Sequence, residues 1–238
     1  MTHTGPKIIT GCSQIPKQIG FKEYFSELDG LETTLLAHGS PKNKTLKNWR
    51  SSVNDDVEFS INTPPLHFGN ESTFFDTIES QRLIEAAKIL NATSLTFSNT
   101  NDFSTSASNR SALGDFFENA KHKLPTNVSL FWLPKGLWEV PLAMNAVKEH
   151  PVQIAFNPLA NDALDESSAV HTELFQQRHV YLKIEQTGHK RRRFDSNELE
   201  TLTAKLQSAE KAWVYFDHQG AFADSKVFKR MILTNSLS

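Results

Sequence analysis

"KAWVYFDHQGAFADSKVF" (residues 211–228) runs from a β-branched and aromatic stretch into a helical pattern, with Asp217, His218 and Gly220 at the junction. A strand that turns directly into a helix is half of a βαβ unit, so the question is how often the unit repeats. Seven more apolar stretches of strand length precede it: 7–13, 30–36, 57–63, 92–99, 127–133, 152–157 and 179–186. Helical patterns lie between them. "FKEYFSEL" puts Phe21, Tyr24, Phe25 and Leu28 on one face. "SPKNKTLKNWRSSV" offers Ser40 as N-cap, Pro41 at the first helical position, and Leu46, Trp49 and Val53 inward. The helix across 74–90 carries Phe75, Ile78, Leu83, Ala86, Ala87 and Leu90 on one stripe. Asp195 and Glu198 have capping-box spacing, ahead of Leu199, Leu202 and Leu206. Further helices are expected near 106–124, 140–150 and 221–233, and the sixth connection (159–178) is the weakest in pattern.

Strand then helix, eight times over, requires a parallel sheet, because each return to a parallel neighbour needs a crossover. The fold class is α/β, a (β/α)8 TIM barrel irregular around its sixth unit, with an open doubly wound sheet as the alternative. No composition break separates domains, so 1–238 reads as one. Formal net charge is -2, which gives no global pull toward nucleic acid or anionic membranes. One cysteine, Cys12, excludes an internal disulfide framework and suits a reducing compartment. With no signal-peptide pattern and no apolar run of membrane length, a cytoplasmic protein is the expectation.

Chemistry in such a barrel gathers at the carboxyl ends of the strands. Those ends offer Glu32, Asn62, Asn157, Lys183, Glu185, Asp217 and His218. Residues two apart share a face, so Lys183 and Glu185 point one way, and only one of Asp217 and His218 faces inward within the strand. Glu32, Asp217 and His218 could supply general acid–base groups, with Lys183, Glu185, Asn62 and Asn157 as ligand-binding groups. The densest charge is "GHKRRRF" (188–194) after the seventh strand, where barrels often hold phosphate; Arg191, Arg192 and Arg193 are the expected anion grip. No HxH or HExxH spacing points to a metal, and no glycine-rich phosphate loop points to a nucleotide cofactor. Cys12 reads as a small buried residue at a strand end.

With the strands laid out, the chain resembles the DUF72 (YecE-like) family of TIM barrels over nearly its whole length. "IITGCS" (8–13) is similar to the family's opening strand, and Glu32 of "LET" stands on its glutamate. "VEFSINTP" (57–64), "VYLKIEQTG" (180–188) and above all "VYFDHQGAFADSKVF" (214–228) carry the rest of the likeness. The departures fall on polar positions. "QIPK" (14–17) and "LLAHGSP" (35–41) replace the family's aromatic and arginine positions, and Asn62 stands for a lysine. "VSLFWLPKGLW" (128–138) keeps Trp138 but has Phe131, Leu133 and Pro134 where the family has Glu, Arg and His. Lys183 and Glu185 replace arginine and histidine. The resemblance implies the barrel and no particular reaction. The expected function is binding of a small anionic or phosphate-bearing ligand at the carboxyl-end mouth. The alternatives are a non-catalytic scaffold or binding protein, and a metal-dependent hydrolase acting on nucleic acid.

Overall fold

A computed structural model of the chain describes residues 5–66, 68, 74–158, 169–185 and 195–235. Eight parallel strands follow one another in sequence order and close into a barrel, β1 to β8. They are β1 Lys7–Cys12, β2 Gly30–Thr34, β3 Glu58–Asn62, β4 Ser94–Ser98, β5 Ser129–Leu133, β6 Gln153–Phe156, β7 His179–Glu185 and β8 Lys211–Asp217. The helices are α1 Phe21–Glu27, α2 Asn43–Ser51, α3 Ile78–Leu90, α4 Ala107–Lys123, α5 Val140–Val147, α6 Ala169–Phe175, α7 Ser196–Lys205 and α8 Ala221–Asn235. The expected (β/α)8 architecture is the one observed, and the open-sheet alternative is not. The weakly patterned sixth connection contains α6; its stretch 159–168 lies outside the described residues.

The chain divides into two compact units, residues 1–32 with 156–238, and residues 33–155. In the first, β8 pairs with β1 along Lys7–Cys12 and with β7 along His179–Glu185. These strands are buried on both faces, so they read as continuous apolar runs rather than alternating ones. α1 is anchored by Tyr24, which is fully buried. Its hydroxyl donates to the Gly30 carbonyl at 2.8 Å and accepts from the Cys12 N–H at 2.7 Å. Burial pushes the Tyr24 phenol well above its ordinary value, so it keeps the proton that this bridge needs. Tyr24→Phe leaves a buried N–H and a buried C=O without their partner. We expect a loss of about 2 kcal/mol with the fold retained, measured by urea unfolding.

The second unit is held by aromatic side chains between β4 and α4. Phe97 meets Phe116 edge-on at 4.8 Å between ring centroids, and Phe74, Phe75 and Phe68 pack around Phe116. Beyond β4, Asn99 is completely buried and fully used: it accepts from Trp132 Nε1 at 3.1 Å and the Lys135 N–H at 2.9 Å, and donates to the Lys135 carbonyl at 3.0 Å.

Two local expectations are corrected. α2 begins at Asn43 with Lys42 as N-cap, not at Ser40 and Pro41. The Ser40 hydroxyl is taken up by the preceding turn, where it accepts from the Ala37 N–H at 2.9 Å and donates to the Ala37 carbonyl at 2.7 Å. Ile78 is 72% exposed and not part of the inward stripe. Thr77 caps α3 through the Ser80 N–H, so Ile78 is the first helical residue and turns outward, while Phe74 and Phe75 bury from a 3-10 turn ahead of the helix. The α7 capping box is formed by both of its bonds, Asp195 to the Glu198 N–H and Glu198 to the Asp195 N–H.

Candidate functional site

The polar groups of the first unit converge at the carboxyl ends of β2, β7 and β8. Glu32 is the third residue of β2 and is completely buried. It accepts from the Tyr181 hydroxyl at 2.5 Å and from Lys183 Nζ at 2.8 Å, one bond to each carboxylate oxygen. Lys183, 5% exposed, also lies 3.3 Å from Asp217 Oδ2. Strand alternation explains the grouping: Tyr181 and Lys183 share a face of β7, Tyr215 and Asp217 share a face of β8, and register sets Lys183 beside Tyr215. The Tyr181 and Tyr215 rings lie 5.5 Å apart below the charges. Only Asp217 reaches solvent appreciably, with 38% of its side chain exposed.

The electrostatics of Lys183 are a contest between burial and its neighbours. Burial alone would lower the ammonium's pKa, but the carboxylates of Glu32 and Asp217, the hydrogen bond to Glu32 and the charge of Glu185 together outweigh it. The net shift is upward, so Lys183 stays a cationic hydrogen-bond donor at any physiological pH. It can neither accept a proton nor attack a carbonyl as a free amine.

His218 stands apart from this group. It turns toward α8, with Nε2 3.6 Å from Asp224 Oδ2 and its ring beside Phe216. Of the pair at the end of β8, Asp217 is therefore the residue facing Lys183. Asn157 lies just past β6 and donates to the Glu185 carbonyl at 2.9 Å, tying the ends of β6 and β7. Asn62 ends β3 in the second unit, where its carbonyl accepts from the Leu35 N–H. Arg191, Arg192 and Arg193 lie outside the described residues. Cys12 is buried on the helix side of β1, 3.4 Å from the Ser225 hydroxyl. Burial pushes its thiol up to about 11 although Ser225 and Tyr24 oppose the shift, so it carries no thiolate.

Tyr181 is the member of this cluster that sequence reasoning passed over. It sits two residues before Lys183, on the same face, so the period of the strand alone identifies it. Among the described residues no group of three or more His, Cys, Asp or Glu side chains is placed to hold a metal ion. Nor is any helix among them long and apolar enough to cross a membrane.

No protein-family model matches the chain, and no curated protein does. Solved structures do. A DUF72 family protein from Thermotoga maritima MSB8 aligns over 95% of this chain and 99% of its own, with a TM-score of 0.67 at 12% identity. A DUF72 family protein from Enterococcus faecalis V583 aligns over 95% of each chain, with a TM-score of 0.66 at 13% identity. A xylose isomerase domain containing protein from Salmonella typhimurium LT2 aligns over 98% of this chain and 97% of its own, with a TM-score of 0.55 at 13% identity. The chain thus has the fold of the DUF72 and xylose-isomerase-like barrels, and the DUF72 likeness is the one its strand sequences had suggested.

Proposed function

We propose that the protein binds a small ligand bearing an anionic or phosphate group at the carboxyl ends of β2, β7 and β8. The observation that supports a ligand site here is a buried ammonium shared by two carboxylates, one sealed and one open to solvent; the ligand's negative charge is argued from the arginine run that follows β7 in the sequence. Taking Lys183 and Glu32 out of water is costly, and such groups persist where a site needs them more often than where a core does. Asp217 is the ligand's first contact, accepting from a hydroxyl or amino group. Lys183 is already engaged by two carboxylates, so the ligand's negative charge needs other cations. The run Arg191–Arg193, which follows β7 in the sequence, provides them.

Inorganic phosphate and glycerol 3-phosphate are the first probes, read as a rise in Tm. Changing Arg191, Arg192 and Arg193 together to Ala abolishes the rise while the unliganded Tm stays at the wild-type value. Asp217→Asn weakens glycerol 3-phosphate binding about tenfold, the loss of one charge-assisted hydrogen bond. A Tm indifferent to both compounds in the wild type disproves the reading. A second reading, a barrel that holds its ligand without transforming it, is favoured by the permanently charged Lys183. Recovery of glycerol 3-phosphate unchanged after prolonged incubation, followed by NMR, supports it.

A further inference from the structure

The first unit holds an unmatched hydroxyl at the rim, beside Asp217. The β1–β8 ladder runs past Cys12, since the Ser13 N–H donates to the Phe216 carbonyl at 3.1 Å. Gly11 and Tyr215 are in register, and a Cβ on Gly11 would come within 2.9 Å of Tyr215 Cε1, so both face one side. Alternation carries that side two residues on, to Ser13 and Asp217 as neighbours. The Ser13 hydroxyl is closed off from water and has no hydrogen-bond partner among the described residues. Such a group destabilises a chain unless something completes it, and alanine would fill the same space without that cost. The local charge is unbalanced as well. Glu32 and Asp217 share the ammonium of Lys183, and the buried Glu32 holds the shorter contact, 2.8 Å against 3.3 Å. The excess negative charge therefore resides on Asp217, the member open to solvent.

We infer that the ligand carries a primary ammonium at the end away from its anionic group, and that Asp217 and Ser13 bind this ammonium between them. The inference rests on the anionic-ligand reading above for one end of the ligand and adds the group at the other. Neighbouring strands set in-register residues about 4.8 Å apart, and a nitrogen about 2.9 Å from an acceptor on each meets them at an angle of about 110°. That is the angle between two N–H bonds of an ammonium, which has a third left for solvent. A ligand hydroxyl can bridge the same two groups but leaves the charge excess as it was, whereas an ammonium cancels it. An anionic group placed here meets the like charge of Asp217 instead. No deep cavity is needed, because Asp217 is open to solvent, Ser13 is half-buried, and the tip of a primary amine is a single heavy atom.

The test compares glycerol 3-phosphate, 2-aminoethyl phosphate and N-acetylated 2-aminoethyl phosphate on the full chain by calorimetry, with ethanolamine alone as a further probe read by Tm. 2-Aminoethyl phosphate binds about tenfold tighter than glycerol 3-phosphate, and acetylation removes that advantage. Ser13→Ala weakens 2-aminoethyl phosphate about fivefold, while its own Tm without ligand equals or exceeds the wild type's, because an unmatched hydroxyl has gone. Asp217→Asn weakens it about a hundredfold, against the tenfold expected for glycerol 3-phosphate, so that the two compounds then bind alike. The inference is overturned, with the reading above intact, if glycerol 3-phosphate binds and 2-aminoethyl phosphate binds no tighter. It is overturned too if both variants bind 2-aminoethyl phosphate as the wild type does. Should neither phosphate bind while ethanolamine raises the Tm of the wild type and not of Asp217→Asn, the ammonium site stands and the phosphate reading falls. Indifference to every probe removes both.

Discussion

Lys183→Met lowers stability by roughly 3–5 kcal/mol, because it strands a carboxylate that has no route to water. In a chain of this size that corresponds to a fall in Tm of roughly 6–20 °C. Glu32 is completely buried, and after the change only the Tyr181 hydroxyl, among the described residues, remains to satisfy it. Removing the charge itself reverses most of the damage: Glu32→Gln combined with Lys183→Met recovers the greater part of the loss, the non-additivity expected of two groups in direct contact. A pH series separates this from a simple packing defect. The Lys183 pKa is raised in the folded chain, so the folded state holds the proton more tightly than the unfolded one. Its contribution is therefore complete below the unfolded lysine value of about 10.4 and declines as pH climbs above it. Wild type shows that alkaline decline in urea unfolding; Lys183→Met lacks the part due to this group. A single variant within 1 kcal/mol of wild type would show that Glu32 and Lys183 are not mutually dependent.

The strands were legible because their burial is written as composition. "VYLKI" and "AWVYF" lie on both-faces-buried strands, and such stretches admit almost nothing but apolar and aromatic residues. Helix boundaries were legible where a cap has a sequence signature, as at Asp195 and Glu198, and misleading where a hydroxyl has a competing use, as at Ser40. The charged cluster was half legible. Strand period put Lys183 and Asp217 at the right end, and the same period applied two residues earlier yields Tyr181. What no period reveals is where a chain turns after its last ladder bond. His218 follows Asp217 immediately and looks equally available in the sequence, yet it faces Asp224 in the first turn of α8. Nor does composition tell a sealed carboxylate from an open one. Glu32 and Asp217 carry the same charge, but one side chain is sealed and the other is open to solvent.

A tight approach of two strands in the first unit makes the other large effect. β1 and β2 meet at Gly11 and Gly30, which are in register. A Cβ on Gly11 runs into the Gly30 carbonyl and comes within 2.9 Å of Tyr215 Cε1. A Cβ on Gly30 comes within 2.7 Å of Ile9 Cγ2 and 3.1 Å of the Tyr215 hydroxyl. Neither obstacle is a flexible tip. The carbonyl is backbone, held in place by the Tyr24 hydroxyl, and the Tyr215 ring is completely buried beside Tyr181. Alanine in place of glycine inside a strand ordinarily stabilises by roughly 0.5–1 kcal/mol through chain entropy. At Gly11 the sign reverses, because β1 must separate from β2 and take the Cys12–Tyr24–Gly30 bridge with it. We expect Gly11→Ala to cost about 3 kcal/mol or more, the upper range for forcing atoms into a filled core. Gly5→Ala is the control, since no atom lies within 4 Å of the added carbon, and it stays within about 0.5 kcal/mol of wild type. Equal stabilities for the two variants would mean that the β1–β2 approach is looser than the register implies. A Gly11→Ala protein that folds only with Tyr24→Phe present would show that the tyrosine bridge, rather than the strands, sets the separation.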